Sequence, residues 1–207
     1  MLQYLAIGRP VEDKPIIESF LRDRTEESFF PLFAAFYVRV RRFFLLQGLN
    51  IQAAEDLSQE VFLKVYRKAN ELRDADRFCG WMYAIARNVL ISHWRRQKSR
   101  IAEVEFEPLT ARLDKSLTTE TEALPKLRLM ELLEELEQPE RELVILRFVE
   151  GLSYKELAVA LNTPVGTIKW RISEVRRKLS FVIGPPRTLK RQARVSNGNH
   201  YKIGEES

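Results

Sequence analysis

The sequence predicts an all-α protein: two small helical domains joined by a flexible acidic linker. Three observations carry that reading. Apolar residues recur at three- and four-residue intervals in two separate blocks. Val/Ile/Thr alternation is scarce, and no hairpin dipeptide lies between apolar runs. Between the blocks the periodicity stops, and Ile101 to Leu124 holds six acids against only Arg112 and Lys115. With 207 residues, 45% hydrophobic and 30% charged, the chain can build two small cores and is too apolar for full disorder.

The elements follow in order. Residues 1–25 form an N-terminal extension with no assigned element, and the first domain spans 26–96. Its first helix, Glu26 to Leu46, carries Phe29, Phe33, Phe36, Val40, Phe43 and Phe44 at helical spacing and stops at Gly48. The second, Gln52 to Lys68, places Glu55 and Asp56 in its first turn, where the helix dipole favours acids. A third, Phe78 to Arg96, is apolar around most of its circumference and ends on a basic pair. The linker covers 97–125.

Pro125 suits a first helical turn and opens the second domain, 126–181. Leu129, Leu132, Leu133 and Leu136 share one face there, and Pro139 opens a further helix that closes at Gly151. Ser153 and Glu156 form a capping box for a short helix to Leu161. Asn162-Thr163-Pro164 breaks that helix and starts the last one, to about Phe181. Residues 182–207 are polar and basic, which predicts a disordered tail.

Composition excludes several function classes. A single cysteine rules out a disulfide framework and a cysteine-rich zinc site. Histidines at 93 and 200 alone give little for a metal or general-base centre, so the sequence predicts no metal, no cofactor and no enzyme. No run approaches the ~20 apolar residues of a membrane span. Glu12 and Asp13 sit where a signal peptide would be apolar, so a cytoplasmic location and no membrane insertion are expected.

Charge is unevenly placed. Arg87 to Arg100 holds five basic residues and no acid, and Leu161 to Arg194 holds nine against the single Glu174. Two basic blocks around an acidic stretch suggest two nucleic-acid surfaces, although each block also fits a merely solvated helix face.

The C-terminal pattern is that of a helix-turn-helix. Ala158, Asn162 and Ile168 fall where it needs a small residue, a positive-φ turn residue and a buried aliphatic. On the last helix Val165, Ile168, Ile172, Val175 and Leu179 share an arc about 80° wide. Gly166, Trp170, Ser173, Glu174 and Arg177 lie opposite, with Lys169 and Arg171 on the flanks. Cations at the edges suit phosphates, and the middle side chains can reach bases. An ordinary surface helix would rarely turn a Trp outward.

In the first domain Leu57, Val61 and Val65 form the core side of the second helix. The other side gathers Gln52, Asp56, Gln59 and Leu63, with Glu60 near its edge: an apolar anchor in a polar rim, as protein contacts use. On the third helix Asn88 and Ser92 lie one turn apart, on the side shared with Arg95. Trp81, Tyr83 and Trp94 interleave with Arg87, which suits stacking on unpaired bases; core packing is the plainer reading, at least for Trp81.

AEDLSQEVFLKVY (54–66) and FCGWMYAIARNVLISHWRR (78–96) resemble region 2 of bacterial sigma factors. PERELVILRFVEGLSYKELA (139–158) and GTIKWR (166–171) resemble region 4. With no room for regions 1.1 or 3, the chain is similar to the extracytoplasmic-function (ECF, group 4) sigma factors of the sigma-70 family. The resemblance implies a protein that binds core RNA polymerase, directs it to promoter −10 and −35 elements, and supports DNA melting. It implies a polymerase-docking face of Asp56, Gln59, Glu60 and Leu63. The −10 element would meet Arg77, Phe78, Asn88, Ser92, Arg95 and Arg96, with the 73–78 loop holding a flipped base. The −35 element would meet Thr167, Lys169, Trp170, Arg171, Ser173, Glu174 and Arg177. An anti-sigma factor is a further possible partner. Ser92 stands in place of the family's common Asp, Trp170 in place of Ser, and Glu174 in place of a frequently basic residue.

Two rivals remain. A polymerase-independent helix-turn-helix regulator explains 126–181 but not the Asp56–Leu63 face. A DNA-processing enzyme would use Asp56, Glu60 and Asp74 as metal ligands, with no supporting His. For the sigma reading, residues 97–123 at about 3.3–3.6 Å each can span roughly 90 Å. A promoter spacer of roughly 17 base pairs at 3.4 Å each needs under 60 Å.

Overall fold

The computed structural model describes residues 13–98 and 130–183. Almost all of the expected linker and tail lies outside these residues. Every regular element described is helical. The first domain contains α1 (Asp13–Asp23), α2 (Glu26–Leu46), α3 (Ile51–Lys68) and α4 (Phe78–Lys98). The second contains a helical segment at 130–134, then α5 (Gln138–Val144), α6 (Tyr154–Ala160) and α7 (Val165–Ile183). A π-helical turn, Ile145–Val149, continues α5.

Local chemistry sets the boundaries. The Thr25 hydroxyl accepts from Ser28 N–H at 3.3 Å and starts α2. Asn50 does the same for α3, accepting from Ala53 N–H at 2.8 Å. The Ser153–Glu156 capping box forms in both directions, at 3.2 and 2.8 Å. Asn162 adopts φ 47° between α6 and α7, the left-handed turn the helix-turn-helix needs.

The first core is aromatic. Phe20, Phe36, Phe43, Phe44, Phe78 and Tyr83 are fully buried. Phe29, Phe33 and Phe62 pack edge to face, with centroids 5.0 Å apart for Phe33 and Phe62. The stretch read as an extension contributes to this core: α1 packs on α2 and buries Ile17 and Phe20. Its eleven residues carry five charges, which masks the apolar pair in a sequence window.

The two domains touch. Helix α4 packs on α6, and α2 reaches the π-helical turn. Gly80 permits the approach, because a Cβ there would lie 2.7 Å from the Glu156 carbonyl oxygen and 3.0 Å from its Cα. Beside this contact Glu150, with no exposed side-chain surface, enters the first domain. One carboxylate oxygen accepts from Tyr83 Oη at 2.8 Å and faces Arg39 Nε at 3.5 Å. The other accepts from Arg42 Nε at 2.9 Å. Arg39 also donates to the Glu150 carbonyl at 3.2 Å and to Asp13 at 2.7 Å. At the edge of the contact Arg87 donates to Glu142 at 3.2 Å.

Buried charge is tolerated here because nearly every partner is supplied. Burial pushes the Tyr83 phenol well above its ordinary range, and neighbouring Glu150 pushes the same way. Burial works against the charge on Arg39, but the carboxylates of Glu150 and Asp13 outweigh it, and the guanidinium is held above its ordinary range.

Candidate nucleic-acid interface

Helix α7 presents two clean faces. Ile168, Ile172, Val175 and Leu179 are buried against the rest of the second domain. Lys169, Trp170, Arg171, Ser173 and Arg177 are exposed, while Thr167 and Glu174 are half-buried. Trp170 keeps 63% of its surface exposed, a large cost in water for a residue with no internal partner to cover it. The seven side chains expected at a −35 element therefore line the outward side of one helix.

The ion pairing on this helix departs from simple spacing. Lys178 lies four residues after Glu174, yet its ammonium reaches across to Glu140 at 2.7 Å. Glu174 instead accepts from Arg177 at 2.7 Å. That hydrogen bond holds the Glu174 carboxyl below its usual range and raises Arg177. A potential base acceptor and a potential phosphate donor are thus tied to each other in the free protein.

On α4, Asn88, Ser92, Arg95 and Arg96 are exposed, and Arg77 is exposed on the 3-10 turn Ala75–Arg77 that precedes the helix. Phe78 corrects the expectation. It is fully buried, with its ring 5.3 Å from Phe36 and 6.0 Å from Trp81. Its role is to anchor the start of α4 in the core, so no DNA contact is assigned to it. The stacking reading fails for Tyr83 as well, since it is buried and bonded to Glu150. Trp94, 37% exposed and edge-on to His93, is the aromatic of α4 that faces solvent. Burial, then the nearby Arg96, pushes the His93 imidazole below its ordinary value.

On α3, Leu57, Val61 and Val65 point into the core, and Asp56, Gln59 and Leu63 are exposed. Leu63 leaves 57% of its surface in solvent, an apolar side chain ringed by polar ones. Glu60 is half-buried and links this face to the next: it pairs with Lys64 at 2.7 Å and lies 3.8 Å from Arg96 of α4. Two of the three acids that would have made a metal centre are engaged otherwise, Glu60 in the ion pairs just given and Asp74 in a local turn. Asp74 caps the turn by accepting from Asp76 N–H at 2.9 Å, and the described residues hold no cluster of three or more metal-ligating side chains.

Residues that join the domains escaped the sequence reading: Gly80, Arg39, Arg42, Glu142 and Glu150, and Tyr83 was read there only as a stacking aromatic. A glycine in the first turn of an apolar helix was the available signal, because glycine gives a helix less than alanine does unless a close approach requires it.

Comparison with known proteins agrees with this geometry. The Sigma-70 region 2 family matches residues 32–100, and the Sigma-70 region 4 family matches 126–179. The RNA polymerase sigma-H factor of Pseudomonas aeruginosa is 32% identical over 150 residues, covering 66% of this chain and 76% of that one. The ECF RNA polymerase sigma-E factor of Escherichia coli is 31% identical over 140 residues, covering 63% and 73%. In fold the chain is similar to the sigma factor RpoE of Bartonella quintana, solved with the anti-sigma factor NepR. That match has a TM-score of 0.58 and 22% identity, and covers 76% of this chain and 97% of the other. With both conserved regions present in order and a matching all-helical fold, the chain belongs to the sigma-70 family of RNA polymerase sigma factors, in its ECF group.

Proposed function

We propose a residue-level division of labour for this promoter-specificity factor. The outer face of α3, with Asp56, Gln59, Glu60 and Leu63, docks on core RNA polymerase. The exposed side of α4, with Asn88, Ser92, Arg95 and Arg96 and with Arg77 before it, engages the melted −10 element. The outward face of α7, with Thr167, Lys169, Trp170, Arg171, Ser173, Glu174 and Arg177, enters the −35 major groove. Asn88 and Ser92 offer polar groups to base edges, and the flanking arginines offer charge to phosphates. An anti-sigma factor is a fitting regulator, since the similar Bartonella sigma factor was solved with one.

The observation that carries the docking assignment is Leu63, an exposed apolar anchor set among polar neighbours on a helix whose other side is core. Leu63→Asp should lower affinity for core polymerase by at least tenfold in a pull-down or fluorescence titration, with unchanged helical content by circular dichroism. A folded Leu63→Asp protein that binds core polymerase like the parent would remove α3 from the docking surface. Co-purification with core polymerase also separates this reading from a polymerase-independent regulator.

A further inference from the structure

Building on the proposed entry of α7 into the −35 major groove, we infer that Trp170 and Glu174 act together as one reader, which selects a cytosine amino group with a methyl group beside it. The two residues stand four apart on α7, so their Cβ atoms lie about 5–6 Å from each other on one side of the helix.

The apolar half of the reader is Trp170. It keeps 63% of its surface exposed. A Cβ built on Gly166, one turn before it, would meet no atom within 4 Å, so the indole stands off the helix instead of folding back over it. A helix about 10–12 Å across with its side chains fills a major groove roughly 12 Å wide, which brings that indole against the base edges. On unmodified bases the apolar group it can meet there is the thymine methyl.

The polar half is Glu174. An ionised carboxylate only accepts hydrogen bonds. Guanine, adenine and thymine each turn an acceptor toward the major groove, whereas cytosine presents its N4 donor alone, so cytosine is the base that suits Glu174. Arg177 Nη2 donates to Glu174 Oε2 at 2.7 Å, and that bond holds the carboxyl below its usual range and therefore ionised. A carboxylate has about four acceptor sites, so Glu174 can keep Arg177 and accept from a base at once. Arg177 is then a positioning residue: it steadies the carboxylate and offsets its repulsion from phosphates. Neighbouring base pairs are about 3.4 Å apart, within the span of the two side chains. The methyl has two possible sources, a thymine next to the cytosine or C5 of the cytosine itself when methylated, and either places it beside N4.

The test uses the full chain with core polymerase and a −35 region selected from randomised duplex. The selected sequences should set a cytosine beside a thymine. Replacing thymine by deoxyuridine, which lacks only the methyl, should weaken parent binding several-fold and leave Trp170→Ala binding unchanged. Adding 5-methyldeoxycytidine to the uracil duplex then separates the sources: regained affinity shows that the cytosine's own methyl serves, and no regain assigns the contact to thymine. Glu174→Gln should move the preference from cytosine toward adenine, whose N6 and N7 suit an amide. The paired reader is overturned if neither base analogue alters parent affinity, if Trp170→Ala keeps the parent's methyl response, or if Glu174→Gln still selects cytosine. Arg171→Ala distinguishes that failure from a failure of the groove assignment. Weaker promoter binding by Arg171→Ala with no methyl response refutes the paired reader alone. Parent-like promoter binding by Arg171→Ala, Trp170→Ala and Glu174→Gln would take α7 out of the groove altogether.

Discussion

Two faces of α4 lie about a third of a turn apart and meet different environments. One carries Gly80, Tyr83 and Arg87 and is consumed by the second domain. The other carries Asn88, Ser92 and Arg95 and is left to solvent. Both hold polar and basic residues, so composition does not distinguish them. What differs is satisfaction. On the buried face Tyr83 and Arg87 find carboxylate partners at hydrogen-bond distance, in Glu150 and Glu142, whereas Asn88, Ser92 and Arg95 stay open to an outside ligand. A polar side chain in a helix points to function when the fold leaves it unanswered.

The sharpest way to break this contrast is at Glu150. Glu150→Ala leaves Arg39, Arg42 and Tyr83 facing each other without their carboxylate. The loss should be about 3–5 kcal/mol, as for other buried pairs stripped of one member. Denaturant titration should show it as an earlier transition in which the domains part. A variant with the parent midpoint would mean that the network contributes nothing to closure.

A smaller effect is expected at Gly80. Gly80→Ala places a methyl group 2.7 Å from the Glu156 carbonyl oxygen, so α4 and α6 must move apart. Overpacking of this kind costs about 1–3 kcal/mol. Where a site can take a Cβ, replacing glycine by alanine otherwise stabilises by roughly 0.4–1 kcal/mol through the unfolded chain, which makes the sign informative. A thermal melt that rises instead of falling would show that the interface yields freely.

The exposed side should respond without a stability change. Glu174→Ala removes the carboxylate that accepts from Arg177. Preference at one −35 base pair should relax on the order of tenfold. Affinity for unrelated duplex should rise as one negative charge leaves the phosphate-facing side of α7, with a steeper salt slope. A randomised −35 selection that returns the parent's preferred sequence would leave Glu174 with only its ion pair.

Much of this protein was legible in the sequence, for physical reasons that act over a few residues. The 3.6-residue period of Phe36, Val40 and Phe43 in α2, and of Ile168, Ile172 and Val175 in α7, forces one face inward whatever the neighbour. Capping by Ser153 with Glu156 and the left-handed turn at Asn162 involve only adjacent chain, so they were readable in place. Family motifs placed the outward faces of α3 and α7 in the same way. Tertiary structure alone decided the rest. Whether Phe78 pointed to DNA or to the core depended on Phe36, 42 residues away, and whether Tyr83 would stack or be buried depended on Glu150 in the other domain. The 13–23 segment looked like an appendage until α2 supplied a surface for Ile17 and Phe20. Pairing across long sequence separations leaves no periodic trace: Arg39 and Glu150 carry no mark of each other until the chain brings them within 3.5 Å.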